Sequence, residues 1–457
     1  MATGGWQEYF ERAKAALLFW LEGLKRALSV DGTPIELPRK HKGSLTILLL
    51  TIVLVAVGFV VIFSTVPGII KLGGSSAEGC KVLRLFPMSD VIDCQMTDFL
   101  ATQVVYLVIG VGAFLFAYRR KLEFWRKSSL ILLIAGFGSS LTLWVFGLLD
   151  LPLAVTAGGA TRWLNFGLFT VQPAEIMKFA LLMWGASFLA SAKQKGQLDS
   201  LKNTFLPLIT IVLLGVGMVV MLQSDLSSGI VILGIILAQM ILSGMRWRNI
   251  VAPIVIVGAL GAALLLLGPQ YRMDRVTAFL DTDCGLGMDL EQICSAMMSL
   301  GSGGLFGRGI GNSLSVFWVP QVGDDAVFSL VGETFGFAGR LAVLVIFVAL
   351  LMRILRVAQF TESLYLRLIL GGGFAWIAAQ TVINIAAFTQ SMPLTGITLP
   401  FISSGGSSLF CILALMGVIF AISGYTSRSK VRKEDDDEDP MRGRRFRRSF
   451  DADRSRS

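Results

Sequence analysis

Ten apolar stretches recur along the chain, and they constrain its fold more than any other feature. They cover residues 45–66, 99–117, 130–149, 176–192, 205–222, 229–242, 250–267, 327–355, 366–388 and 399–423. Most approach the roughly 20 residues that an α-helix needs to cross a bilayer. Backbone polar groups in hydrocarbon must bond within the protein, and a helix satisfies them internally. The sequence therefore predicts an all-α polytopic membrane protein with about ten transmembrane helices.

The composition supports a membrane protein and narrows its chemistry. Only 16% of the 457 residues are charged, whereas soluble domains carry about 25%. His41 is the single histidine, and it lies among basic residues before the first apolar stretch. Unless His41 itself serves, zinc sites rich in histidine and Ser-His-Asp triads are excluded. Acid–base chemistry must then rest on carboxylates, lysines or hydroxyls.

Basic residues gather in alternate loops, which predicts the orientation of the chain. The basic loops follow the second, fourth, sixth and eighth apolar stretches, and further basic residues precede the first stretch. Because positively charged loops remain in the cytoplasm, both termini are predicted to be cytoplasmic. The net charge of +9 is thus a topology signal, and no nucleic-acid partner is expected.

The chain divides into three segments. Residues 1–43 form a cytoplasmic N-terminal segment whose helical spacing of apolar residues predicts an amphipathic helix, at the membrane interface or on a partner. An ordinary packed helix is the alternative. Residues 44–425 form the transmembrane domain. Residues 426–457 form a charged cytoplasmic tail that is predicted to be disordered.

The connection at residues 268–325 is much longer than the others and is predicted to be a large fourth extracytoplasmic loop that carries the functional site. It contains the glycine-rich stretch Gly301-Ser-Gly-Gly-Leu-Phe-Gly-Arg-Gly-Ile-Gly-Asn312. No strand precedes this stretch, which argues against a nucleotide-binding loop. We expect its glycines to permit tight turns and close backbone approach to a ligand.

Four of the five cysteines lie in loops predicted to face the oxidising side of the membrane. Cys80 and Cys94 share the first outer loop, and Cys284 and Cys294 share the large fourth loop. Four thiols allow three pairings, of which the within-loop pairs Cys80–Cys94 and Cys284–Cys294 are preferred. Cys411 lies within the last apolar stretch and is predicted to be a packed small residue.

Asp324 and Asp325 end the large loop immediately before a predicted spanning helix. Capping of that helix and compensation of its dipole would account for one aspartate. Two adjacent acids exceed this need, and each can raise the proton affinity of the other to suit a general base. From the residues alone, capping and catalysis both stay open.

Other ionisable residues fall in or near the spans. Glu175 and Lys178 share a helix face at i and i+3 and are predicted to form a structural ion pair. Glu333 is compatible with either a structural pair or a functional cavity. Three arginines on the predicted outer side suit a phosphate-bearing ligand or lipid headgroups; they are Arg162, Arg272 and Arg275.

Five sequence blocks, in matching order within residues 45–424, resemble the SEDS (shape, elongation, division, sporulation) family. The blocks are Gly159-Ala-Thr-Arg-Trp163, Gln172-Pro-Ala-Glu-Ile-Met-Lys178, Tyr271-Arg-Met-Asp-Arg-Val-Thr-Ala-Phe-Leu-Asp281, Gly304-Leu-Phe-Gly-Arg-Gly-Ile-Gly-Asn-Ser313 and Pro393-Leu-Thr-Gly-Ile-Thr-Leu-Pro-Phe-Ile-Ser-Ser-Gly-Gly-Ser-Ser408. Parts of the last three look more like FtsW, the division branch, than RodA, the elongation branch.

The resemblance implies a peptidoglycan glycosyltransferase of the bacterial cytoplasmic membrane at the division septum. Such an enzyme polymerises lipid II, an undecaprenyl-pyrophosphate-linked disaccharide peptide, at the outer face. A class B penicillin-binding protein and other divisome proteins are the implied partners, and a divalent cation, Mg or Mn, is the only implied cofactor. The resemblance makes Asp325 the general base. The residues implied to contact substrate are Arg162, Arg272, Arg275, Glu333, Ser407 and Ser408.

The chain departs from the family pattern near the implied base. The family's Pro-x-x-His-Thr-Asp is Pro320-Gln-Val-Gly-Asp-Asp325 here, so Gly323 and Asp324 replace histidine and threonine. Ser404 stands where the family has tyrosine, and Gly332-Glu333-Thr334 keeps only the first acid of Gly-Glu-Glu. The retained Asp325 and Glu333, with the loop arginines, favour an active enzyme.

Two other functions compete with this one. A lipid II flippase or other transporter would also have about ten helices with charged residues in the membrane. Transporters of this kind typically contain two repeats with broken helices, and no convincing internal repeat is visible. A catalytically weak divisome scaffold is the third hypothesis. The acids gathered in the large loop favour catalysis outside the membrane.

Overall fold

Helices dominate the protein, as the apolar stretches predict. The computed structural model describes residues 43–64, 91–157, 160–167, 169–266, 288–313, 323–393 and 395–426. The helices are α1 (Leu45–Phe63), α2 (Val91–Arg119), α3 (Leu122–Lys127), α4 (Ser129–Leu148), α5 (Pro173–Gln194), α6 (Leu206–Gly217), α7 (Leu226–Ser243), α8 (Trp247–Leu266), α9 (Met288–Ser302), α10 (Val327–Gln359), α11 (Leu364–Phe388) and α12 (Gly406–Ser423). Two π-helical turns, Leu201–Phe205 and Met218–Leu222, extend α6 at its ends.

The polytopic membrane fold is confirmed. Within the described ranges, nine helices are long and apolar enough to cross a membrane, counting α6 and its two π-helical turns as one. The 20-residue helix α8 covers the remaining predicted stretch. Helix α7 begins directly after Asp225, whose carboxylate accepts a hydrogen bond from the backbone N–H of Ser228 at 2.9 Å. This cap explains why the span starts earlier than its apolar run.

Helix α5 is the centre of the bundle. Almost all of its residues are buried, and it packs against α4, α7 and α11. A helix that is buried on every side needs small or apolar residues around its whole circumference, which α5 has. Peripheral helices instead leave apolar side chains uncovered, among them Val108, Ile131 and Val345. Their outward faces suit contact with lipid.

The two ends of the bundle differ in charge and structure. At one end, the basic face, Arg126 donates hydrogen bonds to Ser191 and Gln194, and Arg353 donates one to Ser44. These contacts join α3, α5, α10 and the start of α1, which are the segments that carry the predicted cytoplasmic charges. The opposite end holds the turn at residues 323–326 and the segment at residues 395–405, and we call it the sheet face.

A small antiparallel sheet, which the sequence did not predict, gives the sheet face its name. Its strands, in the order β1 (Ala154–Ala157), β2 (Ala160–Asn165) and β3 (Thr170–Val171), lie between α4 and α5. Val155 pairs with Trp163, and Leu164 pairs with Val171. The segment is too short and too polar to span a membrane, and its branched and aromatic residues suit paired strands. The sheet holds Arg162 on β2.

The large predicted loop contains the helix α9 and a docked glycine-rich segment. Helix α10 is broken at Gly336, where φ is 70° and ψ is −164°. The break frees backbone groups on both sides, and residues 304–309 bond to them. Arg308 and Gly309 donate their N–H groups to the carbonyls of Glu333 and Thr334 at 2.8 and 3.1 Å. The carbonyls of Gly304 and Leu305 accept from the N–H groups of residues 337 and 338.

This docking confirms one part of the expected role of the glycine-rich stretch. The tight turns are present, since glycines 304, 307, 309 and 311 have positive φ. The backbone approaches helix α10 closely, and an approach to a ligand stays a prediction. A broken helix is tolerated inside a membrane protein where other groups satisfy its backbone, and residues 304–309 do so here.

Replacing Gly336 by alanine should destabilise the whole bundle. Alanine would have to adopt a φ of 70°, and its Cβ would overlap the main chain of Leu305 and Gly307. We expect a loss of at least about 1–3 kcal/mol from the backbone conformation alone, measured as a lower apparent Tm in detergent. Gly138→Ala is the matched control, because a Cβ there meets nothing within 4 Å. An unchanged Tm for Gly336→Ala would contradict the docking.

Several predicted features lie outside the described residues. They are the N-terminal helix within residues 1–42, the tail from residue 427, Cys80, Cys284, Arg272 and Arg275. The side chain of Cys94 is likewise outside the description, although its backbone belongs to α2. Cys294 is disulfide-bonded, and the predicted pairings stay predictions. Cys411 is a buried free cysteine, as predicted.

Candidate functional site

The turn at residues 323–326 places Asp325 on the sheet face, immediately before α10. Ala326 occupies the N-cap position of α10, so neither aspartate stands at the capping position. Both aspartates stand directly before the N-cap position, so compensation of the helix dipole and a functional role both stay open. Asp325 is half-buried, and its backbone carbonyl accepts a hydrogen bond from Asn384 Nδ2 at 2.8 Å. The hydrogen bond from Asn384 holds the backbone of Asp325, and the half-buried carboxylate lies near the surface of the sheet face.

Gly396 brings the Asp325 carboxylate and the Arg162 guanidinium together. A Cβ built on Gly396 would lie 3.3 Å from Asp325 Oδ2 and 3.9 Å from Arg162 Nη1. The two side chains therefore approach the same glycine from β2 and from the turn before α10. Gly396 has a φ of 66°, which favours glycine. Because it has no side chain, the space between the Asp325 carboxylate and the Arg162 guanidinium is open. A ligand in this space would contact both groups.

Arg162 is fixed by backbone carbonyls rather than by an acid. Its Nε donates to the carbonyl of Gln223 at 3.3 Å, and its Nη2 donates to the carbonyl of Ser224 at 3.0 Å. Ser224 adopts a φ of 53°, an uncommon conformation for a residue with a side chain. Because these two nitrogens are bonded to carbonyls, Nη1 is the part of the guanidinium that points towards Gly396.

Asp225 lies next to the residues that anchor Arg162, but it is already engaged. One carboxylate oxygen caps α7, and the other accepts a hydrogen bond from Gln172 Nε2 at 3.2 Å. The adjacent Ser227 donates to the carbonyl of Thr395 at 2.8 Å, which joins the start of α7 to the segment that carries Gly396. Asp225 and Ser227 thus help to assemble the site.

Asn384 and Ser404 connect the turn to the segment at residues 395–405. Asn384 Nδ2 donates both to the carbonyl of Asp325 and to the carbonyl of Ile397 at 2.6 Å. Ser404 donates its N–H to the carbonyl of Gly323 at 2.9 Å and its hydroxyl to the Asp324 carboxylate. The turn is therefore held on both sides of the Asp325 side chain.

Asp324 sits in a setting that disfavours its charge. Asp324 is exposed to solvent, and nearby protein atoms desolvate its carboxyl in part. Burial raises the pKa of the Asp324 carboxyl above its ordinary value, and the hydrogen bond from Ser404 lowers that pKa by a smaller amount. The acid pair predicted from the sequence is present, but each member has its own surroundings and partners.

Glu333 and Ser408, both expected to contact substrate, are buried among protein groups. Glu333 Oε2 accepts a hydrogen bond from the Ser313 hydroxyl at 2.8 Å, and Glu333 Oε1 lies 3.7 Å from Arg308 Nη1. Ser408 accepts a hydrogen bond from Thr398 Oγ1 at 3.0 Å. These contacts hold both side chains within the protein, and their contact with substrate stays a prediction. Ser407 is half-buried at the start of α12, and its role stays a prediction.

The predicted pair of Glu175 and Lys178 is present beneath the site. Lys178 Nζ donates to Glu175 Oε1 at 2.6 Å, and the same nitrogen lies 5.4 Å from the ring centre of Trp376. Trp376 donates to Gln380, which donates to Thr398. Because Thr398 belongs to the segment at residues 395–405, this polar chain supports the floor of the site from within the membrane domain.

Sequence reasoning found Asp325 and Arg162 but missed the residues that bring them together. Asn384 lies inside an apolar helix, and Gly396 is one of many glycines. A buried asparagine in a predicted spanning helix is the one available signal, because an intramembrane polar group is costly and needs a partner.

The comparisons with known proteins agree with this architecture. The profile of the FtsW/RodA/SpoVE family of cell cycle proteins matches residues 81–428. Stage V sporulation protein E of Bacillus subtilis is 34% identical over 330 residues, covering 72% of this chain and 87% of that protein. The probable peptidoglycan glycosyltransferase FtsW of Saccharophagus degradans is 31% identical over 329 residues, covering 71% and 83%.

Two solved structures share the fold. A chain from a peptidoglycan synthase complex, described for its coordination of polymerisation and crosslinking, aligns with a TM-score of 0.61 at 24% identity. The alignment covers 84% of this chain and 99% of that chain. A variant of the rod shape determining protein RodA of Thermus thermophilus aligns with a TM-score of 0.53 at 25% identity, with the same coverage.

Proposed function

The chain belongs to the FtsW/RodA/SpoVE family, and from this membership and the site around Gly396 we propose that it is a peptidoglycan glycosyltransferase that polymerises lipid II. The observation that carries the proposal is the convergence of a carboxylate, Asp325, and a guanidinium, Arg162, on one open glycine. Transfer of a sugar from a pyrophosphate donor requires both a proton acceptor and positive charge beside the leaving group.

Asp325 is the proposed general base. The 4-hydroxyl oxygen of the acceptor sugar attacks the anomeric carbon of the donor sugar, and a new glycosidic bond forms. Asp325 accepts the hydroxyl proton as the bond from the anomeric carbon to the pyrophosphate oxygen breaks. Undecaprenyl pyrophosphate leaves with the bonding electrons. A carboxylate is the acceptor that a site without histidine can offer.

Arg162 is the proposed contact for the negative charge of the substrate. Its Nη1 side faces Gly396, whereas Nε and Nη2 are held by two carbonyls. A guanidinium that is fixed before the substrate arrives stabilises developing charge without reorganising. Arg272 and Arg275, which lie outside the described residues, are proposed to contribute further positive charge.

A divalent cation is the proposed cofactor. Among the described side chains, no three acidic, histidine or cysteine residues converge into a metal site. Magnesium is often bound by one or two carboxylates together with substrate phosphates. Asp325 and the pyrophosphate of lipid II would supply such a combination, and the cation would neutralise the leaving group.

The proposed membrane placement follows from the charges. The basic face carries the loops that the positive-inside rule assigns to the cytoplasm, and the site lies at the opposite end. Lipid II would therefore be polymerised at the outer face of the cytoplasmic membrane. A septal location follows from the FtsW-like relatives and is part of the proposal.

A class B penicillin-binding protein is the proposed partner. One structural neighbour is a chain of a peptidoglycan synthase complex that couples polymerisation with crosslinking. Enzymes that make glycan strands and enzymes that crosslink them act on the same product, so a physical complex would place both activities at one point.

Labelled lipid II supplied to the purified full-length chain, with and without its transpeptidase partner, tests the proposal. We expect glycan polymer whose formation is lost in Asp325→Ala. Absence of polymer under every partner condition would overturn the proposal. Transfer of labelled lipid II across proteoliposomes without polymer would indicate a flippase, and neither activity would indicate a scaffold.

A further inference from the structure

The three positions at which the chain departs from the family pattern around Asp325 meet in space. Gly323 and Asp324 replace histidine and threonine, and Ser404, 80 residues away, replaces tyrosine. In the structure, Ser404 bonds to both of the others, through its N–H to the Gly323 carbonyl and through its hydroxyl to the Asp324 carboxylate. The side-chain bond between Ser404 and Asp324 therefore joins two of the three departures directly, and the third, Gly323, lies against Ser404.

The sizes of the three residues also fit one another. A Cβ built on Gly323 would lie 3.3 Å from Ser404 Oγ, which is tighter than ordinary packing. A side chain larger than hydrogen at position 323 would therefore compete for the space that the Ser404 hydroxyl occupies. Glycine at 323 allows the short serine to approach the turn, and the carboxylate of Asp324 gives that hydroxyl an acceptor.

We propose that Asp324 and Ser404 form a latch that holds the segment at residues 395–405 against the turn at residues 323–326 and thereby positions the Asp325 carboxylate. Asp324 is a positioning residue in this arrangement, whereas Asp325 meets the substrate. The proposal deepens the proposed function and rests on it for its kinetic consequence.

The geometry explains why one hydrogen bond should matter for the reaction. Gly396 lies beside both Asp325 and Arg162 and belongs to the segment at residues 395–405, which also contains Ser404. On the other side of Asp325, Asn384 already joins the same two segments through the carbonyls of Asp325 and Ile397. The backbone bond from Ser404 to the Gly323 carbonyl also joins the two segments, and the bond from the Ser404 hydroxyl to the Asp324 carboxylate adds the side-chain contact that orients the turn.

The latch is tested by a double-mutant cycle on the full-length chain, measured as lipid II polymerisation with the transpeptidase partner. Asp324→Ala and Ser404→Ala should each lower kcat by about tenfold with little change in KM, because small displacements of a catalytic group reduce the rate strongly. The double variant should also lose about tenfold, since both changes break the same contact. Asp324→Asn and Ser404→Thr, which keep an acceptor and a hydroxyl, should retain most of the rate.

Two exposed residues away from the latch provide matched controls. Ser391→Ala removes a hydroxyl from the same face, and Asp199→Ala removes an acid from the basic face. Neither should change kcat. Additive losses in the double variant, or a loss in Asp324→Asn as large as that in Asp325→Asn, would overturn the latch.

Hydrogen exchange provides a readout that does not depend on activity. Peptides that contain residues 395–405 should exchange faster in Asp324→Ala and in Ser404→Ala, and to the same extent in both. Unchanged exchange in both variants would overturn the latch even if the enzyme is active. Conversely, full activity of Asp325→Asn combined with faster exchange in the latch variants would overturn the proposed base and leave the latch intact.

Discussion

Replacing Asp325 by asparagine should lower the rate of lipid II polymerisation by about 10²–10⁴-fold, the usual contribution of a general base. Asparagine has nearly the same shape, and the backbone carbonyl that Asn384 binds is unaffected by the change. The amide does not accept the proton of the acceptor hydroxyl at neutral pH. The expected change is therefore confined to kcat, measured as the initial rate of polymer formation at saturating lipid II.

The controls separate lost chemistry from lost structure. Asp325→Asn should bind lipid II and unfold at nearly the same temperature as the unmodified protein, because the amide has nearly the same shape and the backbone contact with Asn384 is kept. Asp199→Asn, on the basic face, should polymerise normally. A residual rate above about a tenth of the original would fall outside the range for a general base and would contradict the assignment.

Replacing Lys178 by methionine should cost about 3–5 kcal/mol of stability, the usual effect of removing one partner of a buried ion pair. The side chains of Lys178 and Glu175 are 0% and 3% exposed, and their charged atoms are 2.6 Å apart. Methionine fills much of the lysine volume, so the loss arises from the Glu175 carboxylate that is left unpaired. The measurement is the apparent Tm of the detergent-solubilised chain.

A double variant distinguishes this mechanism from poor packing. Glu175→Gln combined with Lys178→Met removes both charges and should recover most of the lost stability, because an uncharged pair leaves no uncompensated buried charge. Lys127→Met, at an exposed position of α3, should leave Tm unchanged. If the double variant is less stable than Lys178→Met alone, the ion pair is not the source of the effect.

The membrane domain was predictable because each of its elements is specified locally. A spanning helix satisfies its own backbone, so an apolar run of sufficient length identifies it without reference to the rest of the fold. The Glu175 and Lys178 pair could be predicted for the same reason, since residues at i and i+3 share a helix face whatever surrounds them. The sheet escaped prediction because its strands are short and lie in a connection between spans.

The candidate site was predictable only in part. Asp325 and Arg162 stood out as a carboxylate and a guanidinium outside the spans, and the family resemblance pointed to Asp325 as the catalytic residue. Glu333 and Ser408 are buried and bonded to protein groups, and their expected contact with substrate stays a prediction. A sequence pattern identifies a polar residue without showing which of its neighbours satisfies it.

The sequence by itself determined the membrane class, the positions of the spans and the chemical character of the site. The length of an apolar run identifies a span, and the near absence of histidine limits the available acid–base groups, whatever the tertiary structure is. Only the tertiary structure decided that Asp325 and Arg162 both lie beside Gly396 and that Ser404 bonds to Asp324. It also decided that the glycine-rich stretch bonds to the backbone groups freed by the break in α10. These contacts join residues that are far apart along the chain, and their partners are set by how the helices pack.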